Sequence, residues 1–344
     1  LITGHTGFKG SWLSIWLKKL GANVIGISKD VPTTPSLFEL SGISDNIHSI
    51  IEDVKNFEKV NDIVKDHKPE IVIHMAAQSL VRKSYQDPID TFSTNIMGTV
   101  NLLESVRNSE NTHVFINVTS DKCYANDGTV SSFTEDSPIG GYDPYSSSKG
   151  CSELVTAAYR NSFFNLEGFD KHNLSLSSVR AGNVIGGGDW AQDRLIPDII
   201  RGISNQTPVS IRNPSSIRPW QFVLDPLQGY IILAENMWND GKQFAGSWNF
   251  GPDENDCKPV KWILEKISSE WSEKLIWNND VKDNPHEANL LRLNCKKSKE
   301  KLGWNSRLNL EKSLLWTVDW YKEYFRGSNM REFTERQIEE YMSS

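Results

Sequence analysis

The chain has 344 residues, enough for a substantial hydrophobic core and two lobes. Its net charge of −7 gives no electrostatic reason to expect a nucleic acid or an anionic membrane as partner. No run approaches the length of a membrane span and no signal peptide is visible. The four cysteines (Cys123, Cys151, Cys257 and Cys295) form no CxxC pair and read as reduced thiols of a cytoplasmic protein. The histidines are scattered without metal-ligand spacing, so no metal is expected.

In chain order, the sequence begins at Leu1 without an initiator Met, and Gly4 follows almost at once. A full opening strand needs more residues upstream, so a clipped N-terminus is expected. "LIT" reads as strand, leads into "GHTGFKG", and passes to the helical "SWLSIWLKKLG", with Gly21 at its C-cap. "NVIGIS" is a strand, Ile50–Ile51 with "EDV" a shorter one, "VNDIVKDHK" helical and "EIVIHMAA" a strong strand. The segment Asp90 to Asn108 has helical period in Ile96, Val100, Leu103 and Val106. "HVFINVTS" is a strand, "YSSSKGCSELVTAAYRNSFF" a long helix, and "LSLSSVRAGNVIG" holds a further strand. This alternation predicts an α/β fold, a doubly wound parallel sheet of Rossmann type over residues 1–182.

The second half is less regular. "RLIPDIIRGISN" looks helical despite Pro197, and "PVSIRN" and "RPWQFVL" look like short strands. "DPLQGYIILAENMWN" reads as a helix with Asp225 as N-cap and Pro226 in its first turn. "SWNFG" is expected to return to the main sheet, so that 225–251 rejoins the first domain. Residues 183–330 would otherwise form a smaller C-terminal α/β substrate-binding lobe. Leu308 to Tyr324 is amphipathic and aromatic. A polar tail, 331–344, is expected to be partly disordered.

"TGHTGFKG" sets Gly4, Gly7 and Gly10 between a strand and a helix, with Thr6, Phe8 and Lys9 among them. Glycines there allow a tight turn and a close approach of backbone to a pyrophosphate, with the helix N-terminus facing the anion. The sequence therefore predicts dinucleotide binding. An acid after the second strand commonly holds the adenosine ribose; here Ser28 takes that position, Asp30 lies just beyond, and Lys29 is able to meet a 2′-phosphate. The loop alone leaves NAD and NADP both open. Asp53 fits an acid beside the adenine, and Ala76 and Ala77 are small enough for a cofactor to lie close.

"YSSSK" places Tyr145 and Lys149 one helical turn apart, on one face. A cation beside the phenol is expected to lower its pKa, so that it can take a proton from a sugar hydroxyl while hydride leaves the same carbon. After a glycine loop, this pattern resembles the short-chain dehydrogenase/reductase superfamily in its extended, sugar-nucleotide form. "PTTPSLFE", "HMAAQSLVRKSY", "TNIMGTVNLLE", "TSDKCY", "VRAGNVIGGGDWA", "RPWQFVLDPLQGY" and "KLGW" extend the likeness over nearly the whole chain. Together they resemble the CDP-glucose 4,6-dehydratases of deoxysugar biosynthesis.

That resemblance implies an NAD-dependent hydro-lyase acting on CDP-glucose. C4 is oxidised, water is lost across C5 and C6, and the hydride returns to C6. Tyr145 would take the C4 hydroxyl proton with Lys149 beside it. Ser120 would bond the C4 oxygen, and Asp121 would protonate the departing C6 hydroxyl. Lys122 stands where such dehydratases carry glutamate, as the C5 base in neutral form or as a cationic stabiliser. Val54 and Asn95 join the cofactor-binding set. The implied substrate contacts are Gln78, Asn183, Asp189, Trp190, Arg194 and Arg218, with Trp190 or Trp220 stacking on cytosine and His286 a weaker candidate. A homodimer or higher homo-oligomer built through paired helices is also implied. Rival readings are a dTDP-glucose or GDP-mannose dehydratase, a 4-epimerase, and a non-catalytic NAD-binding regulator.

Overall fold

The computed structural model of the chain describes residues 1–128, 130, 132–271, 275–280 and 291–344. Seven parallel strands form the main sheet: β1 Ile2–Thr3, β2 Ile25–Ser28, β3 His48–Ile51, β4 Ile71–His74, β5 Val114–Val118, β6 Ser175–Ala181 and, after three others, β10 Gly246–Phe250. Their order is β10-β6-β5-β4-β1-β2-β3. Consecutive strands run outward from β1 to one edge and outward from β4 to the other. The turn-round between β1 and β4 opens a crevice at the carboxyl ends of these strands, where doubly wound sheets bind ligands.

Helices cover both faces, so the central strands read as nearly continuous apolar runs. β5 is wholly buried: Val114, Ile116 and Val118 enter one hydrophobic cluster while Phe115 enters another on the opposite face. The helix Pro144–Ser162 starts cleanly because Asp143 accepts from the Ser146 amide at 3.0 Å and Pro144 occupies the first turn, where no amide donor is needed.

The segment after β6 builds the second lobe. β7 Asn183–Ile185, β9 Ile217–Phe222 and β11 Cys257–Pro259 form a three-stranded sheet, and β8 Val209–Ile211 pairs with β12 Trp277–Asn279. Between these elements the chain crosses back. The helix Leu224–Asn239 packs on the main sheet, and β10 then adds to β6 from Gly246↔Ser177 to Phe250↔Ala181.

Two expectations are corrected. Asp225 is not an N-cap: Val223 precedes the first helical turn, and Asp225 lies inside it, fully buried. There its Oδ1 accepts from the Arg307 amide and the Tyr341 hydroxyl, each at 2.8 Å. The tail is not disordered: Met330–Ser343 is a helix whose Met330, Ile338 and Tyr341 are buried. Its apolar residues fall at helical spacing between charges, and Tyr341 packs edge-on against Trp16 at 5.7 Å. Among the described residues no helix is long and apolar enough to cross a membrane.

Candidate active site

The glycine loop joins β1 to the helix Phe8–Lys19. Gly4 has φ +77°, and a Cβ there would meet the Ala76 amide at 2.9 Å. A Cβ on Gly10 would sit 2.0 Å from the Gly4 carbonyl oxygen, so strand and helix approach this closely only with glycine. Gly7 precedes the helix with no side-chain cap, which leaves the first-turn amides facing the crevice. Thr6 ties the loop to the end of β2, its amide donating to Ser28 Oγ (3.2 Å) and its hydroxyl to the Asp30 carbonyl (2.6 Å). Phe8 reaches the second lobe, where a Cβ on Gly186 would lie 3.2 Å from its ring.

Lys9 turns inward, donating to the Tyr230 hydroxyl at 3.0 Å. Burial, with Lys149 and Arg194 nearby, lowers its ammonium to about 7. Asp53 lies at the end of β3, flanked by Lys29 at 3.8 Å and Lys55 at 3.6 Å. Val54 beside it is buried and packs where Gly98 leaves room. Ala76 and Ala77 follow β4, with the Ala76 amide bonded to Thr3 Oγ1.

Gln78 and Asn95 are buried and committed to each other. Asn95 accepts from the Gln78 amide (2.8 Å) and donates to the Gln78 carbonyl (3.0 Å) and to Ser148 Oγ (2.8 Å). The Gln78 side chain bonds Leu80 and Thr91. Both therefore shape the loop after β4 instead of offering free polar ends to the crevice.

At the end of β5 the chain enters a short 3-10 turn, Asp121–Cys123, capped by Ser120. Ser120 Oγ donates to Asp121 Oδ1 (3.0 Å) and accepts from the Lys122 amide (3.2 Å). Asp121 is 5 % exposed, with Oδ2 close to Gly182, where a Cβ would stand 3.0 Å away. Burial raises its carboxyl above the ordinary value, against the pull of Lys122, Ser120 and Arg218. Tyr145 and Lys149, 8 % and 5 % exposed, face this turn from the helix Pro144–Ser162. The Tyr145 amide donates to Ser84 Oγ (3.1 Å), and Lys149 Nζ donates to the Val118 carbonyl (3.1 Å).

The expected depression of the phenol does not occur. Burial pushes Tyr145 up to about 12, opposed first by the Ser120 hydroxyl. Lys149 spends its bond on the strand carbonyl, and burial lowers it to about 8 although Glu153 works the other way.

From the second lobe, Asn183 opens β7, opposite Trp220 of β9. Arg194 bridges the lobes, donating to Asp189 Oδ2 (3.0 Å) and to Ser79 Oγ (2.9 Å). Asp189 thus orients Arg194. Arg218 lies on β9, and its charge reaches Asp121. Trp190 is built into an aromatic cluster, 5.2 Å from Tyr321 and 5.1 Å from Tyr324, and Trp220 is buried with its indole donating to the Lys258 carbonyl. Both tryptophans are packed into the core, a placement that lends the stacking expectation no support. His286 falls outside the described residues.

A family model described as GDP-mannose 4,6 dehydratase matches residues 1–315. The chain belongs to this family. A CDP-glucose 4,6-dehydratase of Salmonella typhimurium is 52% identical over 343 residues, covering 100% of this chain and 96% of that protein. A dTDP-glucose 4,6-dehydratase of Haemophilus influenzae is 28% identical, covering 93% and 97%. Among solved structures, a dTDP-glucose 4,6-dehydratase from Bacillus anthracis in complex with NAD has a TM-score of 0.76 at 21% identity, covering 95% of this chain and 97% of that one. This last likeness carries the fold.

Within this GDP-mannose 4,6-dehydratase framework, several site-shaping residues escape the sequence motifs. His5 sits inside the glycine loop, its Nδ1 2.9 Å from Ser28 Oγ and its Nε2 2.7 Å from Ser49 Oγ. Gly26 makes room for it, since a Cβ there would fall 2.3 Å from the ring. His74 bonds Thr3 (2.6 Å) and Thr99 (3.2 Å), and burial lowers it to about 3, so it stays neutral. A polar residue ending an otherwise apolar strand, as in "EIVIH", was the available signal for His74. Ser84, which holds the Tyr145 amide, had none.

Proposed function

We propose that the chain is an NAD-dependent CDP-glucose 4,6-dehydratase, converting CDP-D-glucose to CDP-4-keto-6-deoxy-D-glucose and water. The observation that carries the choice of nucleotide is the 52% identity over the whole chain to a CDP-glucose 4,6-dehydratase, against 28% for the dTDP-glucose relative. The cradle fits a dinucleotide. Gly4 and Gly10 hold backbone where any Cβ would collide, and the first-turn amides of the helix Phe8–Lys19 face the crevice. Bound in that cradle, NAD would supply the hydride acceptor for C4 and the hydride source for C6.

The chain's own groups supply positioning and proton transfer. Tyr145 takes the C4 hydroxyl proton, with Ser120 bonded to the same oxygen and Lys149 fixed behind the strand end. Burial holds the phenol high, so a positive charge brought beside it would ease that proton transfer. Asp121 suits the acid that protonates the departing C6 hydroxyl, because burial favours its protonated form. Lys122, half-buried with its amide held by Ser120, directly follows the acid and serves C5 either as base or as cationic stabiliser. Arg194 and Arg218 are the cations for the pyrophosphate.

The unpaired thiols favour a cytoplasmic enzyme. Ile89, Met97 and Leu154 are 78%, 49% and 60% exposed on neighbouring helices and supply an apolar face for a homodimer. The test of substrate is direct. CDP-, dTDP-, UDP- and GDP-hexoses are each incubated with the enzyme and NAD, and the 4-keto-6-deoxy product is sought. Product from CDP-glucose alone, or far faster from it, supports the reading; preference for another nucleotide overturns it.

A further inference from the structure

Behind the Ser120–Asp121–Lys122 turn lies a fully buried ion pair that the chemistry above does not use. Arg180, on β6, donates to Glu153 through Nε (2.9 Å to Oε1) and Nη2 (2.8 Å to Oε2), and both side chains are under 5% exposed. Glu153 belongs to the helix that carries Tyr145 and Lys149. A buried pair of this kind brings little net stability, and its geometry is the more informative property.

The pair reaches both ends of the turn. Glu153 Oε1 accepts from the hydroxyl of Thr119, the residue before Ser120, at 2.5 Å. Arg180 Nη1 donates to the hydroxyl of Tyr124, the residue after Cys123, at 2.7 Å, and its guanidinium lies 4.8 Å over the Tyr124 ring. The Tyr124 hydroxyl in turn donates a hydrogen bond to Asn249 Oδ1 on β10 (2.7 Å), and its ring stacks on Phe133 at 4.9 Å. Ser178 Oγ completes the set around Glu153 (2.7 Å). The four residues between Thr119 and Tyr124 include both groups that face C5 and C6. No bond in this set touches Tyr145.

We infer that Glu153 and Arg180 are positioning residues that clamp the Ser120–Asp121–Lys122 turn from its two ends, through Thr119 and Tyr124. Ser120 shares the C4 oxygen with Tyr145, which the clamp does not hold. Asp121 and Lys122 have no such second group at C6 and C5, so elimination depends on the clamp more than C4 oxidation does. The inference rests on the dehydratase reading. Small displacements of positioned groups cost large factors in rate, which makes a shared anchor behind the turn consequential.

Thr119→Val and Tyr124→Phe each remove one link while both buried charges stay in place, so the field at Lys149 is kept. On mixing with CDP-glucose and NAD, each variant should reduce the cofactor at a rate within about twofold of the parent. Each should form 4-keto-6-deoxy product roughly tenfold or more slowly, with reduced-cofactor absorbance building up. Thr119→Ser should restore the parent rate. Backbone amide exchange across Ser120–Tyr124, which needs no substrate, should quicken in both variants while the rest of the helix Pro144–Ser162 stays protected. Equal losses in both steps, or unchanged amide exchange, overturn the clamp. Absence of product from the parent enzyme overturns the dehydratase reading instead, and the exchange measurement still decides the clamp.

Discussion

At the scale of single residues, two substitutions separate the proposed roles. Tyr145→Phe removes the proton acceptor at C4, so even the first hydride transfer should fall by about 10²–10⁴-fold, read as loss of cofactor reduction on mixing. Weaker CDP-glucose binding with normal reduction would reassign the base. Lys122→Met should leave C4 oxidation running and stop product, with the reduced cofactor accumulating. Normal turnover by that variant would remove Lys122 from the chemistry. Tyr145, Lys149 and the turn were legible in the sequence because their spacing is local: two residues one turn apart on one helix, three in a row at one strand end. The resemblance implies Gln78, Asp189 and Trp190 as substrate contacts, yet the Gln78 and Asp189 side chains bond protein partners and Trp190 packs among aromatic rings. Asp189 meets Arg194 only five residues on, but Asn95 and Tyr321 lie much farther along the chain from Gln78 and Trp190, and one-dimensional spacing carries no record of those contacts. The same distance hid the Glu153–Arg180 pair.

At the scale of elements, strand–helix alternation revealed the parallel sheet, since burial on both faces writes itself as apolar runs. The last helix escapes the sequence pattern because six of its fourteen residues are charged and its buried face mixes Met330, Ile338 and Tyr341 with the polar Thr334 and Gln337. It is latched through Asp225. Burial raises that carboxyl from 3.8 to about 6, against the bonds it accepts from Arg307 and Tyr341. A carboxyl raised by folding adds its stability fully below about pH 4 and loses it as pH climbs through about 6. The rise is worth about 3 kcal/mol at ~1.4 kcal/mol per pH unit. Asp225→Asn keeps the acceptor oxygen and cannot ionise. Relative to the parent, its unfolding free energy should improve by up to about 3 kcal/mol between about pH 4 and about pH 8, measured by denaturant unfolding at each pH. A difference that is flat with pH would show that Asp225 titrates there as it does in water.

At the scale of the whole molecule, the two lobes meet through the glycine loop, Arg194 and the aromatic helix Leu310–Phe325, and the proposed dimer adds a second level of assembly. Leu154→Asp puts a charge in the exposed apolar face on the helix Pro144–Ser162. Light scattering should report a shift from dimer to monomer, with the fold retained by circular dichroism; an unchanged mass would place the interface elsewhere. The sheet has a further consequence for how the molecule is made. Its edge strand β10 comes from residues 246–250, after most of the second lobe, and covers β6. Until Phe250 has left the ribosome, β6 presents seven buried residues and an unpaired row of amides and carbonyls, a ready template for the wrong partner. The first lobe, although it lies first in the sequence, therefore closes only after the chain has been synthesised well past it, and the pace of translation through the second lobe sets how long that edge stays open.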